Sequence, residues 1–74
     1  HESLSIFPNP ASNRLNLISK KEIQEIKIYN NLGQKILHKQ TNHNSVDIKD
    51  LPKGEYIIEV RTKDSTFIKP FTKI

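Results

Sequence analysis

At 74 residues with no cysteine, the chain has room for one domain, no disulfide, no thiolate metal site and no cysteine nucleophile, so it must live on a small apolar core or lean on a partner. Twelve Lys and Arg stand against eight Asp and Glu, a net charge of +4, but the basic residues are spread along the chain and read as a solvated surface, without the block a nucleic acid or membrane would need. No apolar run approaches the roughly 18 residues of a membrane span, and no charged-then-apolar leader opens the sequence.

Alternation with period two sets the elements in chain order. Leu4 and Ile6 form the first set, and the strand they define must stop at Phe7, because Pro8 and Pro10 fix φ and donate no backbone hydrogen bond. The two prolines of "SIFPNPASNRLNL" are expected to force an extended crossover, so that Leu15 and Leu17 begin a second strand in the other sheet of a sandwich. Ile26 and Ile28 mark a third strand. A helical face through Ile23, Ile26 and Leu32 is the competing reading of "KKEIQEIKIYNNLGQKIL", but the β-branched run with Tyr29, followed by Asn-Asn-Leu-Gly, favours two strands joined by a turn. Val46 and Ile48, then Tyr56, Ile58 and Val60, supply two more alternating sets, and turn signals fall between all of them. About seven short strands result, the rhythm of an all-β, immunoglobulin-like antiparallel sandwich filling residues 1–74 as one domain. Pro70 places the last strand at an edge or gives it a bulge.

Side chains with chemical potential are dispersed. His38 and His43 flank a turn and read as solvated loop histidines, and His1 reads as an extraneous terminal residue; no pair has metal-ligand spacing. The carboxylates, Glu2 and Glu25 among them, are scattered, and those in strands fall opposite the apolar set, as Asp47 and Glu59 do, which is a surface-solubility pattern without a shielded acid–base pair. The serines sit in no nucleophile elbow, and two glycines are too few for a phosphate loop. Catalysis, a cofactor and nucleic-acid binding are therefore not expected. Gly33 and Gly54 stand where a positive φ is cheap only for glycine.

Taken in order, "LSIFPNPASNRLNL", "EIKIYNNLGQKIL", "VDIKDLPKGEYIIEV" and "FIKPFTKI" resemble the type A C-terminal sorting domain of the Bacteroidetes type IX (Por) secretion system. The resemblance covers essentially the whole chain. It implies an immunoglobulin-like sandwich at the C-terminal end of a larger cargo protein, where it acts as a non-catalytic address. The implied partners are the N-terminal cargo and the translocon, shuttle and sortase components of the outer membrane. The implied route runs through the periplasm to the cell surface or medium, with a sortase usually removing the domain.

Carried over by position, the opening motif falls on Pro8, Asn9, Pro10 and Leu15, the middle one on Tyr29, Leu32 and Gly33, and the third on Leu51, Pro52, Gly54 and Tyr56. The recognition segment falls on Lys69, Pro70, Phe71, Thr72, Lys73 and Ile74, where Pro70 and Ile74 depart from the usual basic ending. The last strand is expected to offer an unpaired edge near Pro70 to a receptor, with Phe67, Lys69 and Phe71 projecting on one face. Asp64-Ser65-Thr66 resembles the short acceptor motif of Bacteroidetes O-glycosylation, but such a tripeptide arises easily by chance and reads as a hairpin turn with Asp favouring the bend, so modification is not expected. The alternative function is an immunoglobulin-like accessory module that binds carbohydrate or protein on an extracellular enzyme.

Overall fold

A computed structural model describes residues 3–74; His1 and Glu2, with the expectations placed on them, lie outside the described residues. Seven strands run through that span: β1 (Leu4–Phe7), β2 (Arg14–Ser19), β3 (Ile23–Asn30), β4 (Lys35–Lys39), β5 (Ser45–Asp47), β6 (Gly54–Thr62) and β7 (Thr66–Lys73). They form two antiparallel sheets, β1-β2-β5 and β4-β3-β6-β7. Lettered by the immunoglobulin convention, these are A-B-E and C′-C-F-G, so the expected sandwich is present.

The period-two residues meet between the sheets. Leu15, Leu17, Ile26, Ile28, Ile48, Ile58, Val60 and Phe71 are fully buried, and Leu4, Val46 and Tyr56 nearly so. Alternate side chains of β2 and β6 are buried because successive Cβ atoms point to opposite faces, while the edge strand β4 only half-buries Leu37. The contested segment around Ile26 is two antiparallel strands, with Ile28 opposite Leu37.

One connection differs from expectation. β1 and β2 are neighbours in the same sheet, with Ile6 opposite Leu17 and Phe7 opposite Asn16, so the Pro8–Asn13 segment is a hairpin loop and makes no crossover. Leu4 and Ile6 bury the same sheet face as Leu15 and Leu17, and direct pairing satisfies all four. The bonds before Pro8 and Pro10 are both cis. The loop then leans onto the other sheet, where Ala11 forms a parallel bridge with Lys73 of β7.

Candidate recognition site

The segment around Pro8 is built against the end of β7. Asn9 accepts a hydrogen bond at Oδ1 from the Thr72 amide, 3.0 Å, and its Nδ2 donates to the Pro70 carbonyl at 3.4 Å. Two residues on, the Ala11 amide donates to the Thr72 carbonyl, 2.8 Å, and the Ile74 amide donates to the Ala11 carbonyl, 2.9 Å. Ala11 is fully buried, while Pro8, Asn9 and Pro10 face solvent. Pro8–Ala11 and the end of β7, more than 60 residues apart in sequence, are therefore joined along one edge.

That contact corrects the expectation of a free edge at Pro70. β7 is an edge strand, as its proline required. Thr72 turns both main-chain groups away from β6, toward Asn9 and Ala11. Alternation along an antiparallel pair then turns those of Pro70, Ile68 and Thr66 the same way. Pro70 thus lacks its N–H on the side where no ladder bond is lost. From Pro70 onward the edge is covered by the Pro8–Ala11 loop; from Thr66 to Ile68 no strand covers it among the described residues. The projecting face is also the reverse of the expected one. Phe71 is 1% exposed and Phe67 packs against the core, so Phe67, Lys69 and Phe71 point inward and Thr66, Ile68, Pro70 and Thr72 outward. Phe71 wins the inner face because an aromatic ring there buries far more apolar surface than Pro70 would.

The third motif is a corner. Leu51 closes a turn through its amide to the Ile48 carbonyl and packs against the core. The Tyr56 hydroxyl donates to the Pro52 carbonyl at 2.6 Å, the tyrosine corner that immunoglobulin-like sandwiches place at the start of strand F. Gly54 has φ +153°, and a Cβ there would point at the Tyr56 ring, 4.0 Å away. In the middle motif, Asn30 organises the β3–β4 turn: its Oδ1 accepts from the Leu32 and Gln34 amides, 2.9 and 3.0 Å, and Gly33 follows at φ +81°. Tyr29 lies on the outer sheet face, its hydroxyl donating to Glu59 at 3.3 Å. Leu32, by contrast, is 79% exposed.

One cluster was missed in the sequence. Glu25 is 9% exposed, on the outer face of β3. One carboxylate oxygen accepts from Arg61 Nε of β6 at 2.9 Å, the other is bound to His38 Nε2 of β4, and Lys27 Nζ stands 4.0 Å away. The Arg61 hydrogen bond, then that of His38, hold the carboxyl down to a pKa of about 2. His38 is thus a strand residue tying an edge strand to its neighbour, and Glu25 is no mere solubilising charge. The signal was the register: Glu25 pairs with Arg61 across β3–β6, after an irregularity in pairing between Ile23 and Glu25, and such an offset is invisible in spacing alone. Among the described residues no group of three or more His, Cys, Asp or Glu could hold a metal, and Asp64-Ser65 forms the β6–β7 hairpin bend, with the Thr62 amide donating to the Ser65 carbonyl at 2.8 Å.

Taken together, these observations define a small antiparallel β-sandwich in which the Pro8–Ala11 loop and the end of β7 are knitted along one outer edge. Residues 5–73 match the family model of the secretion system C-terminal sorting domain, and the chain belongs to that family, which serves as the secretion signal of the type IX system. It is 34% identical over 68 residues to beta-agarase D of Zobellia galactanivorans, covering 92% of this chain and 14% of that protein. The chain therefore spans a small part of the length of this relative. Its fold also matches a solved structure of PorZ, described as an essential bacterial surface component of the type IX secretion system of Porphyromonas gingivalis. That match has TM-score 0.71 and 14% identity, over 97% of this chain and 11% of that one.

Proposed function

We propose that this domain is the C-terminal address of a cargo protein, read by outer-membrane components of the type IX system and carrying no catalysis of its own. The observation that supports this reading is the joined surface of Pro8–Ala11 and Pro70–Ile74, because it brings two motif segments of a sorting-domain family onto one exposed edge. The cargo passes through the periplasm, and the domain is removed by a surface sortase while the cargo becomes free or cell-attached. The relative's name suggests that the cargo is an extracellular enzyme such as a polysaccharide hydrolase.

The accessory-module reading needs a stacking platform. Tyr56 is buried against Phe71, at a ring-centroid distance of 5.5 Å, which leaves Tyr29 on the outer sheet face. Mass spectrometry of cargo recovered from the medium separates the two readings. An address is expected to be missing from the mature protein, and an accessory module would stay attached.

A further inference from the structure

We propose that the recognition element is the folded junction of two segments, the Pro8–Ala11 loop and the Pro70–Ile74 strand end, and that Asn9 is the residue that positions it. This rests on the reading of the chain as an export address.

The geometry supports a composite element over a linear tail. Of the strand end, Phe71 is in the core and Lys73 is nearly buried, its ammonium donating to the Ile74 carbonyl at 3.2 Å. Only Pro70, Thr72 and Ile74 face outward, and a receptor meeting that edge meets Asn9 and the two prolines beside them. The outward main-chain groups that a strand-pairing receptor would need, the Thr72 amide and carbonyl and the Ile74 amide, are already taken by Asn9 and Ala11. Pairing by an added strand is thereby excluded from the strand end while the loop is in place. What remains for a protein partner to read is the shape of the covered edge: two prolines, the Asn9 side chain, the Pro70 ring and the exposed Ile74.

Asn9 has the chemistry for this role. An amide side chain offers an acceptor and a donor at once, and here they meet the Thr72 amide and the Pro70 carbonyl across one gap. The Oδ1 bond at 3.0 Å is the stronger of the two by distance. Aspartate keeps that acceptor and loses the donor, and alanine loses both.

The test uses the whole chain fused to the C-terminus of a periplasm-directed reporter, in a host with an active type IX system, together with amide hydrogen exchange on the 74-residue chain. Asn9→Ala is expected to speed exchange at Thr72 roughly fivefold, as loss of one hydrogen bond of ordinary net strength implies. Core amides such as that of Ile58 should be unchanged, and export should fall severalfold. Asn9→Asp keeps the acceptor for the Thr72 amide but sets a carboxylate oxygen against the Pro70 carbonyl, so both readouts should fall between the unmodified chain and Asn9→Ala. A receptor that reads a linear tail would export Asn9→Ala undiminished, because its tail is the freer one, and that result would overturn the proposal. So would an unchanged Thr72 exchange rate in Asn9→Ala. Should Asn9→Ala weaken protection across the whole sheet, Thr72→Pro removes the same contact from the other partner, on the side away from β6, and is judged by export and by exchange at the Ile74 amide, which donates to the Ala11 carbonyl in the same junction. An unmodified fusion that stays in the periplasm is a different result: it removes the export reading while leaving the loop-to-strand lock to the exchange measurement.

Discussion

Tyr56 stacks on Phe71 with ring centroids 5.5 Å apart and planes 20° from parallel, so the Leu-Pro-Lys-Gly corner and the end of β7 share one piece of core. The two residues are cross-strand partners on β6 and β7, and each also does a second job: Tyr56 fixes the corner through Pro52, and Phe71 anchors the segment whose neighbours face outward. Phe71→Ala is expected to destabilise the domain by about 3–5 kcal/mol, the cost of emptying an aromatic site in a packed core. In a chain whose total stability is on the order of 5–10 kcal/mol, urea denaturation should show a much lower midpoint. Deletion of residues 70–74 removes the same ring, so an export defect after that truncation reports unfolding as much as a lost signal.

Tyr56→Phe removes only the hydroxyl and leaves the Pro52 carbonyl without its donor. A loss of about 1–2 kcal/mol follows for this part-buried bond, or several degrees in Tm for a domain of this size. Thermal unfolding by circular dichroism, with the ring packing retained, measures it.

The β3–β4 turn separates conformation from contact. Gly33→Ala is expected to cost about 1 kcal/mol, because φ +81° strains an L-residue although no atom lies within 4 Å of the new Cβ. Leu32→Ser next to it should fall within about 0.5 kcal/mol of the unmodified chain, as exposed positions do. If the Leu32 change alters export without moving Tm, that side chain touches a receptor.

Acid should expose the Glu25 cluster. The carboxyl has a pKa of about 2 in the folded protein, against 4.5 for an unperturbed glutamate. Between those values the unfolded chain binds more protons, so stability rises with pH. The contribution is complete above about pH 4.5 and disappears as pH falls toward 2. Glu25→Gln should flatten the pH dependence of Tm across that window and lower Tm at pH 7, as measured by a series of melts in matched salt.

The strands and the core were legible because each apolar set alternates with period two and each turn carries Pro, Gly or Asn, so local chemistry and global fold agree. Pro70 announced an edge strand for the same reason. Three things were not legible. The placement of β1 beside β2 depends on which sheet the Pro8–Asn13 loop returns to, and a proline pair specifies an interruption without a direction. The inward facing of Phe67, Lys69 and Phe71 depends on the phase of alternation, which Ile68 and Phe71 pull in opposite senses, and a one-residue shift flips every side chain. The Glu25–Arg61–His38 cluster depends on the register among three strands, with residues 13 and 36 positions apart in sequence. The motif residues themselves divide once placed: Leu15, Leu51, Tyr56 and Phe71 hold the fold, Gly33 and Gly54 hold turns, and Pro8, Asn9, Pro10, Pro70, Thr72 and Ile74 share the knitted edge.

Export of a fusion tests the central claim most directly. Residues 1–74 are joined to the C-terminus of a fluorescent protein carrying a periplasmic export signal, and the medium, cell surface and periplasm are assayed in paired Bacteroidetes hosts with and without a working type IX system. The account predicts fluorescence in the medium or on the surface of the first host and its confinement to the periplasm of the second. A folded fusion retained in the periplasm of both hosts, or exported equally by both, would contradict it.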